Sequence, residues 1–241
     1  MRKSKVTWLP PRPWGPGGLS GLAVSWLVVV GLALALPGGA MAQGQIGPGG
    51  GTAGAERPKA RRLSARELNY LLLLAKEPLN ALKEGREARP LPAITAPALT
   101  QAVPLAVTLW LDGQILARAW EIRQPQPVGA GIFALSSKVL SEPDQGRAPT
   151  LEEWPRVKIG VAVLHQLDEA ADDKAVGKGQ AVVVLEGFTI GLGLPKDMPG
   201  KYENSELLSK ACQMAGLRPN SWLLPEKLTI FAADVDELVE G

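Results

Sequence analysis

The clearest hydrophobic pattern in the chain begins just after Ser64 and has the spacing of one face of an α-helix. Ser64-Ala-Arg-Glu67 has the composition of a capping box, in which the serine hydroxyl accepts from the third backbone amide and the glutamate reaches back to the cap. Pro78 lies inside the predicted helix, and because proline has no amide hydrogen we expect it to kink or divide the helix. The apolar face consists of Leu68, Leu71, Leu72, Ala75, Leu79 and Leu82.

Apolar segments farther along the chain predict strands, some of them joined in hairpins. Asp112-Gly113 and Glu186-Gly187 each separate two such segments, and the first dipeptide supplies the positive φ angles of a type I′ turn. The predicted strands span residues 105–111, 114–123, 157–164, 180–185, 188–194 and 228–233.

Two further helices complete the predicted elements. One is expected from residues 128 to 139, and the other begins at Asn204 as its cap, contains Cys212 and stops at Gly216. Residues 88–104 contain several prolines and no periodicity, which is typical of an extended connector. Strand pairs mixed with helices, without a regular strand-helix alternation, predict an α+β domain. We expect a mixed or antiparallel sheet built from hairpins and flanked by helices.

The first 42 residues have the pattern of an export signal. Basic residues precede an apolar run from Leu22 to Leu36, and Ala40-Met-Ala42 provides small residues at the spacing that a signal peptidase reads. The run is shorter than the about 20 residues needed to cross a bilayer, so we expect cleavage and export to the periplasm or the exterior. The alternative is a membrane anchor formed by an uncleaved segment. Residues 43–62, rich in Gly, Pro and Ala, are predicted to be a disordered linker, so the folded domain should span residues 63–241.

The charge of the chain changes once this signal is set aside. The whole chain has a formal charge of +2, but the first 42 residues hold four of its 26 basic residues and none of its 24 acidic ones, which leaves −2 for the rest. Without a basic stripe, we expect no binding to nucleic acid. Cys212 is the one cysteine in the sequence and cannot form an internal disulfide, so we interpret it as a small core residue.

Three short motifs occur in an order found in a known family. Leu151-Glu-Glu-Trp-Pro155 is an acidic segment before a predicted central strand, Gly191-Leu-Gly-Leu-Pro195 ends a strand pair, and Ala215-Gly-Leu-Arg-Pro-Asn-Ser-Trp222 ends a helix. With these motifs the chain resembles the AMMECR domain family from about residue 63 to residue 238. The resemblance implies that family's α+β fold, and it brings no established activity.

The resemblance fails at the family's best-marked segment. There the family has Leu-Arg-Gly-Cys-Ile-Gly after the first hairpin turn, whereas the arginine, glycine and cysteine positions here hold Leu116, Ala117 and Arg118. A guanidinium is permanently charged and has no lone pair for attack, so thiol chemistry is lost at this position. The candidate cleft for a ligand or partner consists of Leu116, Ala117, Arg118, Trp120, Glu121 and His165.

Two functions of different classes follow. The first is an exported AMMECR-like binding or scaffold domain that holds an unknown protein or a small ligand. The alternative is an enzyme, either a hydrolase or a redox- or metal-linked accessory protein, because AMMECR-type proteins of bacteria are encoded beside Memo-like and radical-SAM partners. His165 is the one histidine in the sequence, so no histidine-based metal cluster or triad can be identified. We expect no metal and no cofactor, assign no catalytic residue, and expect membrane contact only through an uncleaved signal segment.

Overall fold

The computed structural model describes residues 61–224 and 228–241. The predicted export signal at residues 1–42 and nearly all of the predicted linker at residues 43–62 lie outside the described residues. Among the helices that the structure describes, none combines the length and the apolar character needed to cross a membrane.

The described chain forms one antiparallel sheet of seven strands with three α-helices. The helices are α1 (Ala65–Lys83), α2 (Val128–Ser141) and α3 (Asn204–Met214). The strands are β1 (Ala102–Leu111), β2 (Gln114–Pro127), β3 (Gln145–Gly146), β4 (Val157–Ala170), β5 (Ala181–Glu186), β6 (Thr189–Gly193) and β7 (Thr229–Val239). Their order across the sheet is β3-β2-β1-β4-β7-β5-β6. The predicted α+β class, with a sheet built from hairpins and flanking helices, is confirmed.

Helix α1 begins where its capping box predicts. The Ser64 amide donates to the Glu67 carboxylate over 2.8 Å, and the Glu67 amide donates to the Ser64 hydroxyl over 3.3 Å. Of the two outcomes expected at Pro78, a kink or a division, the division does not occur, because the helix runs without a break to Lys83 and Pro78 is buried. Packing of the apolar face outweighs the one hydrogen bond that proline removes. Leu82 does not belong to that face, since it is 59% exposed in the last turn.

The first hairpin has the predicted type I′ geometry. Asp112 and Gly113 have φ angles of 52° and 81°, and Leu111 pairs directly with Gln114. The last strand is longer than predicted, because β7 continues to Val239 and lies between β4 and β5. The carboxyl end of the chain therefore contributes a central strand.

Helix α3 packs closely on the edge of the sheet. A Cβ atom on Gly191 would collide with the Ala211 carbonyl of the helix, so glycine is required for this approach. The cap is Glu203, whose amide donates to the Glu206 carboxylate over 2.9 Å, and the prediction of Asn204 as cap is wrong. Instead, the side-chain Nδ2 of Asn204 donates to two carbonyl oxygens of the β4–β5 loop, those of Asp173 and Val176.

The end of α3 and its cysteine follow the prediction. Gly216, with a φ angle of 73°, ends the helical conformation, and the Leu217 amide donates to the Cys212 carbonyl over 2.9 Å, as in a Schellman motif. Cys212 has no exposed surface, and burial raises the pKa of its thiol. The prediction that it is a core residue is confirmed.

The sheet curls, and strands that are far apart in the strand order come into contact. Helices α1 and α2 cover one face of β1, β2 and β4, and α3 covers β5 and β6. On the remaining face, Arg118 of β2 donates to the Leu192 carbonyl of β6 over 3.1 Å. From an exposed position on β2, Arg123 donates to the Gly187 carbonyl of the β5–β6 turn over 2.9 Å. Because β2 and β6 lie near opposite ends of the strand order, this face is concave and encloses its own apolar cluster.

Candidate functional site

A buried ion pair lies inside the concave face. Arg118 and Asp197 have fully buried side chains and form two parallel hydrogen bonds, with Nη2 donating to Oδ1 over 2.6 Å and Nη1 to Oδ2 over 2.9 Å. The Arg118 Nε donates to the hydroxyl of Thr108, its neighbour on β1, over 2.7 Å. A bidentate pair with these additional partners satisfies a guanidinium that would otherwise be costly to bury.

Local structure after β6 places the acidic partner. Pro195 starts a one-turn 3₁₀ helix, Pro195–Asp197, and its fixed φ angle suits that position. The Leu194 amide donates to Asp197 Oδ2 over 2.8 Å, which fixes the carboxylate toward the interior. The turn in the Gly191–Pro195 motif thus brings Asp197 to Arg118.

The six residues of the candidate cleft do not lie together. Arg118 and Trp120 share the concave face, but Arg118 fills the interior and offers no surface to a ligand. Strand alternation places Ala117, Glu121 and His165 on the opposite face, where Ala117 is buried against the helices. Leu116 is half-buried near an irregularity in the β1–β2 register.

His165 forms a second buried polar contact, on the opposite face of the sheet from the ion pair. Its Nε2 lies 2.7 Å from Asp236 Oδ2, and the ring is 3% exposed. The Leu63 amide also donates to Asp236 over 2.6 Å, so this pair ties the start of the domain to β7. His165 Nδ1 is buried without a hydrogen-bond partner in the described part of the chain.

Trp120 is the one residue of the predicted cleft that lines a described depression. Its backbone amide donates to Asp144 over 2.8 Å, and Asp144 also pairs with Lys138 over 2.8 Å. The depression, of about 370 Å³, lies between Trp120, Phe188 and Met214. Met214 also receives a weak contact from Arg118 at 3.7 Å, so the ion pair lies behind this depression.

A second depression opens at one end of the concave face, and we call it the mouth pocket. It has a volume of about 490 Å³. Trp110 and Lys158 are paired neighbours on β1 and β4, and Gly160 leaves room for the indole, because a Cβ atom there would lie 3.0 Å from Trp110 Nε1. The mouth pocket is lined by Trp110, Asp112, Gly113, Arg156, Lys158, Lys196, Val239 and Glu240.

Cations outnumber acids around the mouth pocket. Asp112 is paired with Arg156 over 2.6 Å, and Glu240 is paired with Lys76, which lies outside the lining. Within residues 61–224 and 228–241, no carboxylate lies within salt-bridge distance of the Lys158 or Lys196 ammonium. The mouth pocket therefore contains two ammonium groups that have no salt-bridge partner among the described residues.

Glu237 is the titratable group next to both the mouth pocket and the ion pair. It lies two residues before Val239 on the same face of β7, and it accepts from the Lys196 amide over 3.2 Å. Burial, and then the neighbouring Asp197 carboxylate, raise the pKa of Glu237 to about 7. A carboxyl that titrates near neutral pH can exchange a proton with a bound molecule, and such groups are concentrated at functional sites.

Sequence reasoning missed the mouth pocket because its members are distant in the chain. Trp110 and Lys158 become neighbours through the β1–β4 register, and Lys196 joins them after β6. No group of three or more potential metal-ligating side chains is found among the described residues.

Comparison with known proteins identifies the fold. No protein-family model and no curated protein sequence matches the chain. Among solved structures, it is similar to the uncharacterised protein PH0010 from Pyrococcus horikoshii, with a TM-score of 0.60 and 20% sequence identity. The similarity covers 74% of this chain and 93% of that one. At this identity the similarity shows the fold alone.

Proposed function

We propose that the chain is an exported, AMMECR-like binding domain that holds a small ligand or a partner in the mouth pocket. The observation that carries the proposal is the role of Arg118. At the position of the family's cysteine, the chain has a cation fully occupied by Asp197, Thr108 and Leu192. This position therefore contributes packing and charge balance and offers no surface to a ligand, so we place the binding site at the mouth pocket, which is lined by Lys196 beside Asp197.

The retained family motifs support a preserved scaffold. Gly191 allows α3 to approach β6, and Pro195 begins the turn that carries Asp197. Trp222 packs beside α3, where its indole donates to the Ser209 hydroxyl over 3.2 Å. These roles explain why the motifs persist while the cysteine segment changes.

A binding screen tests the proposal. The chain is titrated with small metabolites and short peptides, and its melting temperature and amide resonances are followed. We expect a saturable ligand whose resonance shifts concentrate at the mouth pocket, because concave sites with a few convergent polar groups are typical binding sites. Shifts confined to the surface around Trp120 and Phe188 would place the site elsewhere.

Export is tested by cell fractionation and by sequencing the amino terminus of the exported form. Cleavage after Ala42 gives a chain beginning at Gln43. A full-length chain held in the membrane would instead favour the anchored alternative.

An enzyme remains the second candidate, favoured by the partly buried Glu237 carboxyl and the buried His165 ring. Glu237 has a pKa of about 7, and His165 pairs with Asp236. Arg118 and Glu121 are the other polar residues proposed for an enzymatic site. A screen with ester, phosphate and peptide substrates tests it, alone and with Memo-like or radical-SAM partners. Turnover that His165→Ala or Glu237→Gln abolishes would favour a hydrolase or accessory enzyme over a binding domain.

A further inference from the structure

The mouth pocket has the chemistry of a site for an oxyanion. We propose that it binds the phosphate or carboxylate group of a small molecule between Lys158 and Lys196, with Arg156 at its rim. The inference rests on the proposed binding function and adds the chemical class of the ligand.

The two lysines approach the pocket from separate structural elements. Lys158 lies on β4 beside Trp110, and Lys196 belongs to the 3₁₀ helix after β6. That helix is anchored at its next residue, because the Asp197 carboxylate is fixed by Arg118 and by the Leu194 amide. The sheet and the buried ion pair fix the two backbone positions, so anion binding has to order only the exposed lysine side chains.

The acidic groups near these lysines are already paired or partly neutral. Asp112 is engaged by Arg156 and Glu240 by Lys76. Glu237 accepts from the Lys196 backbone amide and forms no salt bridge with its ammonium among the described residues, and its raised pKa leaves it partly protonated at neutral pH. An anion bound between Lys158 and Lys196 therefore displaces no carboxylate from a salt bridge with either lysine, and Arg156 at the rim stays paired with Asp112.

The pocket is also larger than a bare anion requires. Its volume of about 490 Å³ falls in the range of small-molecule sites, about 300 to 1,000 Å³. Trp110 and Val239 supply apolar wall, so an oxyanion carried on an organic body fits better than an inorganic ion alone. The Trp110 indole N–H, buried in the same wall, has no acceptor among the described residues, which adds to the surplus of donors.

The test uses the full chain labelled with ¹⁵N and follows the indole N–H resonance of Trp110, assigned through Trp110→Phe. Sodium phosphate, malonate and glucose are added separately at constant ionic strength. We expect saturable shifts with phosphate or malonate and none with glucose, and comparison of the two anions shows which oxyanion is preferred.

Lysine substitutions test whether the anion binds at the mouth pocket. Losing one charge-assisted hydrogen bond should weaken anion binding about tenfold in Lys158→Ala and in Lys196→Ala. Lys178→Ala, an exposed lysine of the β4–β5 loop outside the lining, is the matched control and should bind as the parent does. Unchanged melting temperatures establish that the variants fold.

Several results would overturn the inference. One is an equal shift with glucose, another is an equal loss of affinity in Lys178→Ala, and a third is no shift with either anion. If a neutral metabolite binds at the mouth pocket and anions do not, the binding function stands and the oxyanion inference fails. If nothing binds and a substrate is turned over elsewhere on the protein, the proposed function itself fails.

Discussion

Arg118 and Asp197 form a buried charge pair, and removing one partner leaves the other unbalanced inside the concave face. Asp197→Asn keeps the size of the side chain but removes its charge. We expect it to lower the free energy of unfolding by about 3–5 kcal/mol, the usual cost of an uncompensated buried charge. Urea unfolding followed by circular dichroism measures the loss.

The matched control is Asp112→Asn, which breaks the ion pair with Arg156. Both residues of that pair are more than half exposed, so the expected change is within about 1 kcal/mol. Asparagine also tolerates the positive φ angle of 52° at this turn position. Equal losses in the two variants would contradict a special role for the buried pair.

Glu237 makes the stability of the protein depend on pH. Its pKa of about 7 in the folded state lies above the ordinary value of 4.5, so the folded protein holds this proton more tightly than the unfolded chain does. This contribution to stability is complete below about pH 4.5 and is lost as the pH rises through 7. Glu237→Gln removes the titration while keeping an oxygen for the Lys196 amide.

The parent loses this contribution between pH 5 and pH 8, and Glu237→Gln has none to lose. The unfolding free energy of Glu237→Gln, relative to the parent, should therefore rise by about 2 kcal/mol over this range, a value reduced because Glu237 is only partly buried. Denaturant unfolding at the two pH values measures the gain. Glu169→Gln, at an exposed position of β4, should show no such gain. A parallel pH profile for the parent and Glu237→Gln would show that Glu237 does not titrate in this range.

The contacts of Arg118 could not be predicted from the sequence. Arg118 lies in a strand that the sequence predicts, but its partners Leu192 and Asp197 lie 74 and 79 residues away in the chain. The curl of the sheet brings them together, and no local pattern reports it. The same limit hid the mouth pocket, because Lys158 and Lys196 converge only in three dimensions.

Among the elements, α3 and β6 depend on a glycine at their contact. In Gly191→Ala the new methyl group would meet the backbone carbonyl of Ala211, which cannot move without shifting the helix. We expect a loss of about 1–3 kcal/mol or more in unfolding free energy, as for overpacked cores. Gly177→Ala is the control, since its methyl group would meet only the flexible end of the Gln180 side chain. Similar melting temperatures for both variants would contradict the close packing of α3.

The elements that were predicted best are those set by contacts between residues close together in the sequence. The capping box of α1 and the Asp112-Gly113 turn involve residues within three positions of each other, and both were confirmed. Helix α1 is not divided at Pro78, and the prediction of Asn204 as cap was wrong, because contacts with distant parts of the chain decide both. Asn204 contacts a loop about 30 residues earlier in the chain, with which its side chain forms hydrogen bonds instead of capping.

At the scale of the whole molecule, the curl of the sheet joins strands that do not pair. Arg118 links β2 to β6 and to the turn after it, and Arg123 links β2 to the β5–β6 turn, where it also lies 5.6 Å from the ring centre of Phe188. The Arg118 link is buried and charge-balanced, whereas the Arg123 link is exposed. We therefore expect the buried link to hold the concave face closed.

Hydrogen exchange followed by mass spectrometry tests this expectation under native conditions. In Asp197→Asn, the amides of β6 and of residues 194–198 should exchange faster, because local opening involves only the segments that lose contacts. The amides of α1, which packs on the opposite face of the sheet, should change least. Arg123→Ala should leave the exchange of β6 nearly unaltered, since a solvent-exposed contact contributes little. Uniform acceleration in every segment of Asp197→Asn would mean that the pair stabilises the whole domain equally and does not specifically close the curl.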